Sequence, residues 1–236
     1  MLKKFYEKNE TLCIILLIAS YVILGSLSMQ KFGYTSVQGV IGGTIYSLIL
    51  LTIILATKST KYFGFTKPKH CKEFLYFIPL FIISTVNIWN GFDFSRGTKT
   101  IIIYILQMIN VGFIEEVIFR GFLFKSMQKD NEKLAIIVSS LTFGIGHIAN
   151  LLNGAELIPT IVQICYAIAL GFLFVTIFLK SGSLIPCIIS HIVINSLSSI
   201  GKDINNTTLI ILNAILILIC LLYIAWVNKK IKKANA

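Results

Sequence analysis

Long apolar stretches separated by short polar segments divide the chain into eight: 11–28, 37–57, 73–90, 100–124, 134–153, 157–179, 183–199 and 208–227. Each approaches the roughly 20 mainly apolar residues that a helix needs to cross a bilayer core. The pattern therefore predicts eight transmembrane helices. Turn residues stand between several of them: Lys67-Pro68, Asn90-Gly91, Asn153-Gly154 and Ser181-Gly182. No soluble domain, linker, low-complexity tract or convincing internal repeat interrupts the series. The chain reads as a single all-α, polytopic membrane domain over residues 1–236. The first stretch has Lys3 and Lys4 before it and Gly25, Ser26 and Ser28 near its end, as a signal peptide would. Its apolar run is slightly long for one, so an uncleaved helix is expected.

Composition agrees. Hydrophobic residues make up 56% of the chain and charged residues 13%, with mean hydropathy +0.85. Soluble domains carry about 25% charged residues. Too little polar sequence remains to coat a water-soluble enzyme, and a chain this apolar cannot stay disordered. The net charge of +11 sets orientation and draws anionic headgroups rather than nucleic acid. With the amino terminus in the cytoplasm, sixteen Lys fall on inner segments, including Lys58, Lys61, Lys72, Lys125, Lys180, Lys232 and Lys233. Lys31, Arg96, Lys99 and Lys202 fall on outer loops, and Arg120 lies inside a span. Such a bias predicts both termini in the cytoplasm and a multi-pass protein of the cell membrane. The five cysteines (Cys13, Cys71, Cys165, Cys187, Cys220) have no ligand-like spacing, and four lie in apolar stretches as small hydrophobes.

Against this background a few ionisable residues stand out. The fourth span holds Glu115, Glu116 and Arg120 in EEVIFR, the fifth His147 in FGIGH, and the seventh His191 and Asn195 in HIVIN. A charge at the bilayer centre costs at least about 2.5–3.5 kcal/mol on insertion scales. At 1.5 Å per residue, Glu115 lies about 15 Å from Lys125, His191 about 15 Å beyond Ser181 and His147 about 21 Å beyond Lys133. Three helices thus bring polar groups to one level, which predicts one site. Glu116 and Arg120 are i,i+4 and can pair. Glu115 points about 100° away, free to face a cavity. Phe143, one turn from His147, can wall its ring. Gly112, Gly121, Gly144 and Gly146 favour close helix approach.

A carboxylate among apolar walls with a histidine beside it can take a proton from water and make it a nucleophile toward a peptide carbonyl. A second imidazole and an amide can donate hydrogen bonds to the oxyanion. Alternatively, Glu115, His147 and His191 form a carboxylate-plus-two-imidazole set able to bind Zn²⁺. Either route ends in amide hydrolysis, and no HExxH helix decides between them. No GxSxG and no aspartate occurs in any span.

At these residues the chain resembles the CAAX proteases and bacteriocin-processing enzymes, the CPBP or Abi intramembrane proteases. Their pattern is EExxxR, FxxxH and HxxxN on separate helices. Here it stands as Glu115, Glu116 and Arg120, then Phe143 and His147, then His191 and Asn195, within about 110–196. The ordered triple is specific, whereas each motif alone is weak. The resemblance implies an eight-helix endopeptidase with a buried site. By carry-over, Glu115 is the catalytic carboxylate, His147 its partner, and His191 and Asn195 the oxyanion donors. Glu116, Arg120 and Phe143 are supporting residues. The preferred mechanism is the metal-free glutamate one, without a cofactor; the metallo-type would hold Zn²⁺ on Glu115, His147 and His191. Richness in Lys, Asn and Ile looks like a low-GC Gram-positive bacterium. There the expected role is maturation of bacteriocin or pheromone peptides, or bacteriocin self-immunity, acting on a peptide or membrane-protein substrate.

Competing readings are a proton-coupled transporter, since intramembrane Glu and His also build proton relays, and a peptide-binding immunity or scaffold protein that does not cleave. The absent inverted repeat disfavours the transporter. Glu156 is expected to be interfacial and His70 solvated.

Overall fold

The computed structural model describes residues 2–58, 60–69 and 77–231. His70, Cys71, Lys72 and the start of the third expected span lie outside the described residues, as do Lys232 and Lys233. Helices dominate, and the capping chemistry explains where several begin. After α1 (Leu2–Lys8) and α2 (Glu10–Phe32), α3 (Val37–Thr57) starts at Ser36, whose Oγ accepts the Gly39 N–H at 3.1 Å. Then come α4 (Ile78–Ser84), a 3₁₀ turn (Val86–Ile88) and α5 (Thr98–Glu116). The last runs on through a π-helical stretch (Val117–Phe124) into α6 (Lys125–Gln128). Asn131 caps α7 (Glu132–Gly146) by accepting from Leu134 N at 3.0 Å, and α8 (Ala149–Leu152) follows a turn. α9 (Leu157–Ser181), α10 (Ile185–Leu197) and α11 (Asn206–Lys230) complete the chain, the last capped by Asn205 through Thr208 N at 2.9 Å. Among the described residues no strand forms, and an isolated antiparallel bridge joins Phe92 to Gly201.

Among the described residues, six helical runs are long and apolar enough to cross a membrane: α2, α3, α5 through α6, α7 through α8, α9 and α11. They coincide with six of the eight expected spans, and the architecture is that of an all-α, multi-pass membrane protein. The other two are shorter. α10 has 13 residues, or about 20 Å against a core of about 30 Å. It lies inside the bundle against α5, α4 and α9, where the protein and not lipid satisfies the backbone at its ends. Leu184 N, just before it, donates to Gly64 O at 2.9 Å. In the described part of the third span, α4 has only seven residues.

α9 is the inner post, packed against α7 and α11, while α5 packs against α3 and α10. Small residues set the closest approaches. A Cβ on Gly171 of α9 would lie 3.0 Å from the backbone of Ser140 on α7. One on Gly144 of α7 would lie 2.8 Å from Ile168 N on α9. Gly112 of α5 does the same for α10, 3.0 Å from Ile192 N. Of the four glycines expected to permit close approach, Gly112 and Gly144 do so. Gly121 has only ordinary contacts, and Gly146 meets nothing within 4 Å. The outward faces are apolar: α2 buries Ile14 and exposes Leu16, Ile23, Leu24 and Leu27. Such a surface suits hydrocarbon and not water. Cys187 and Cys220 are buried, Cys13 is half-buried and Cys165 is exposed. Glu156 is exposed at the start of α9.

Candidate active site

Consecutive positions on a helix point about 100° apart, and the two glutamates diverge accordingly. Glu115 borders a cavity of about 760 Å³. Glu116 turns into the protein and is fully buried. Its Oε1 accepts from Arg120 Nη1 at 3.0 Å and lies 2.9 Å from His191 Nδ1. The Arg120 guanidinium, also fully buried, stacks 4.0 Å above the Phe143 ring and 5.6 Å from that of Phe174. Its Nε and Nη2 have no hydrogen-bond partner, so the ring faces supply the remaining stabilisation of the cation. The backbone turns π-helical at Val117, directly after this pair. Such stretches are rare and occur mostly at functional sites.

Glu115 is held from another direction. Tyr21, on α2, donates its hydroxyl proton to Oε1 at 2.6 Å. The other oxygen, Oε2, is buried without a hydrogen-bond partner, 3.6 Å from His191 Nε2. That separation is too long for a direct hydrogen bond. With Glu116 accepting from Nδ1–H, a neutral His191 presents a lone pair at Nε2. Two acceptors then face each other across the gap.

The structure brings His147 and Asn195 to the wall of the same cavity. His147 sits in the turn that ends α7, its N–H donating to Gly144 O at 3.1 Å. The single helix expected over 134–153 is therefore interrupted at the candidate residue. Gly144 and Gly146 lower helix propensity immediately before it. Phe143 presents ring contacts to His147 at 5.7 Å and to His191 at 5.6 Å, both edge-on. It walls both imidazoles, where the sequence suggested only the first. The imidazole 3.6 Å from Glu115 is that of His191, whereas the sequence reading paired Glu115 with His147.

The alternative zinc set is not assembled. Among the described residues, no group of three or more His, Cys, Asp or Glu side chains is arranged to hold a metal ion. His191 and Glu115 approach each other, and His191 is tied to Glu116, but His147 does not complete a triad with them. These residues do not fit the ion, and no step below runs through one.

Tyr21 escaped the sequence reading because a tyrosine in an apolar helix looks like an ordinary interfacial residue. Asn150 and Gln163, bonded to each other at 2.9 Å on the cavity wall, were missed for a similar reason.

Residues 97–197 match the model of a family described as type II CAAX prenyl endopeptidase Rce1-like. Over this segment the chain is similar to the CAAX-protease family. The resemblance read from the three motifs is thereby borne out. The matched segment runs from the start of α5 to the end of α10 and contains every motif residue, while Tyr21 lies outside it. No curated protein and no solved structure matches the chain.

Proposed function

We propose that the chain is an intramembrane endopeptidase that hydrolyses a peptide bond of a peptide or membrane-protein substrate with water activated by Glu115. The observation carrying this reading is the buried, unpartnered Oε2 of Glu115 facing His191 Nε2 across 3.6 Å inside the cavity. A water seated on the cavity side of these two atoms, within hydrogen-bond reach of both, donates one proton toward each acceptor. Glu115 takes a proton as the water oxygen attacks the scissile carbonyl, then returns it to the leaving amine. His191, its ring fixed by Glu116, takes the partner role that the sequence gave to His147. His147 and Asn195 supply hydrogen bonds to the oxyanion. Tyr21 orients the carboxylate, and Arg120 holds Glu116.

The lysine-rich side, with both termini, faces the cytoplasm of a cell-membrane protein, a reading supported by the positive-inside bias. The biological role is maturation of bacteriocin or pheromone peptides, or bacteriocin self-immunity. It is supported by the resemblance of the three motifs and by the Lys, Asn and Ile richness of the chain.

The test is cleavage of candidate peptides by the purified protein in detergent. Glu115→Ala, His147→Ala and His191→Ala should abolish cleavage while expression stays normal. Variants that cleave as well as wild type would overturn the protease reading.

A further inference from the structure

α10 carries two of the candidate site residues and is held at three places along its length. Just before its start Leu184 N–H reaches Gly64 O. In its middle Gly112 admits the backbone of Ile192, and His191 meets Glu116. Both of these lie before Asn195, which stands one turn beyond His191 on the cavity wall. Among the described residues the Asn195 side chain has no hydrogen-bond partner. Its aim therefore follows from where the last turn of α10 lies.

That last turn ends against residues 86–97, the 3₁₀ turn and the loop that leads to α5. The Ser198 N–H would continue the helix by bonding Ile194 O, but it bonds Asn195 O at 3.2 Å instead. Asn87 takes its place, Nδ2 donating to Ile194 O at 2.6 Å. Arg96 Nη1 donates to Ser198 O at 3.2 Å and Asp93 N–H to Ile200 O at 2.7 Å. Arg96 Nη2 also meets Asp203 Oδ1 at 3.0 Å, and Lys202 N–H returns to Gly91 O at 3.2 Å. Carbonyls that a helix leaves without partners at its C-terminus are thus supplied from a segment that precedes them by 102 to 107 positions. The approach is tight: a Cβ on Gly201 would collide with the Asn87 carbonyl oxygen. Asn87, Ile194, Asn195 and Ser198 all border the cavity.

We propose that residues 86–97 form a clamp that sets the last turn of α10, with Asn87 the positioning residue that aims the Asn195 amide into the site. The proposal rests on the protease reading, in which Asn195 donates to the oxyanion. Asn87 Nδ2 is engaged by Ile194 O, one residue before Asn195, so Asn87 acts through the helix and not on substrate. An amide with no partner of its own follows the backbone beneath it, and a misplacement of about 1 Å is enough to slow a reaction a hundredfold.

The test compares the purified full chain in detergent with Asn87→Asp, which keeps the shape of the side chain and replaces the donor by an acceptor facing Ile194 O. On a cleaved peptide, kcat should fall about tenfold to a hundredfold while KM stays within about twofold, because an oxyanion contact is made only in the transition state. Added to Asn195→Ala, Asn87→Asp should cost no further rate. Arg96→Met, at an exposed position, removes a second clamp donor and should lower kcat in the same sense should Asn87→Asp not accumulate. A raised KM with unchanged kcat would make Asn87 a substrate contact, and additive losses with Asn195→Ala would show that it does not act through that residue; either overturns the proposal. Hydrogen exchange reads the clamp without cleavage. Backbone amides at 195–200 should exchange faster in Asn87→Asp while those of α9 do not, and unchanged exchange overturns the clamp. Faster exchange in a protein whose unsubstituted form hydrolyses no peptide would overturn the protease reading alone.

Discussion

His191 places one ring nitrogen 2.9 Å from Oε1 of Glu116, and that contact makes a residue outside the cavity wall the organiser of one inside it. The same Glu116 oxygen also receives Arg120 at 3.0 Å, with both side chains of that pair fully buried. One carboxylate therefore neutralises a cation and aims an imidazole. Removing it leaves the guanidinium uncompensated, which costs about 3–5 kcal/mol for a buried pair. Glu116→Ala should lower the unfolding free energy by that order, read from denaturation in detergent. Glu116→Leu combined with Arg120→Met should lose less stability than Glu116→Ala while remaining inactive.

Phe143 shares in the same burden, since Arg120 lies 4.0 Å above its ring with two guanidinium nitrogens otherwise unpartnered. Phe143→Leu keeps an apolar side chain but removes the ring face. A desolvated cation–π contact contributes about 2 kcal/mol, and a loss of that size in unfolding stability is expected. Cleavage should fall as well, because both imidazoles lose their wall. Unchanged stability would show that the ring only fills space.

Tyr21 gives a different signature. Its hydroxyl bonds Glu115 at 2.6 Å without contributing to the Glu116 cluster. A hydrogen bond to a charged group contributes about 1.5–3 kcal/mol. Tyr21→Phe should therefore slow cleavage by about tenfold to a hundredfold with little change in unfolding temperature. An equal fall in both would mean that Tyr21 serves packing and not the carboxylate.

The close crossing of α5 and α10 at Gly112 offers a test of assembly. A methyl group there would lie 2.7 Å from Ile192 Cγ1 and 3.0 Å from its backbone nitrogen. Gly112→Ala should force the helices apart, with overpacking costs of about 1–3 kcal/mol, and should reduce activity by displacing His191 from Glu116. Ile192→Ala in the same chain should restore part of both, since it removes the side chain but not the backbone contact. No restoration would locate the defect elsewhere than in this crossing.

Much was legible because membrane insertion writes itself into composition. Runs of about 20 apolar residues and turn glycines such as Gly91, Gly154 and Gly182, all at positive φ, fixed six long helices and where the chain turns between them. The cost of intramembrane charge singled out Glu115, Glu116, Arg120, His147 and His191 before any coordinates. Helical spacing even separated the two glutamates by role, one toward a cavity and one toward Arg120.

What only the tertiary structure decided depends on relations between distant segments, which no local period encodes. Tyr21 reaches Glu115 across 94 positions and His191 reaches Glu116 across 75. Which imidazole stands beside the catalytic candidate followed from how α10 crosses α5 at Gly112. The turn at His147 and the π-helical stretch after Glu116 are likewise products of packing. An apolar helix carries little information about which of its faces meets lipid and which meets protein, since both are hydrophobic. The sequence by itself therefore determined that this is a membrane protein with polar chemistry at its centre, and the packing of its helices decided how that chemistry is aimed.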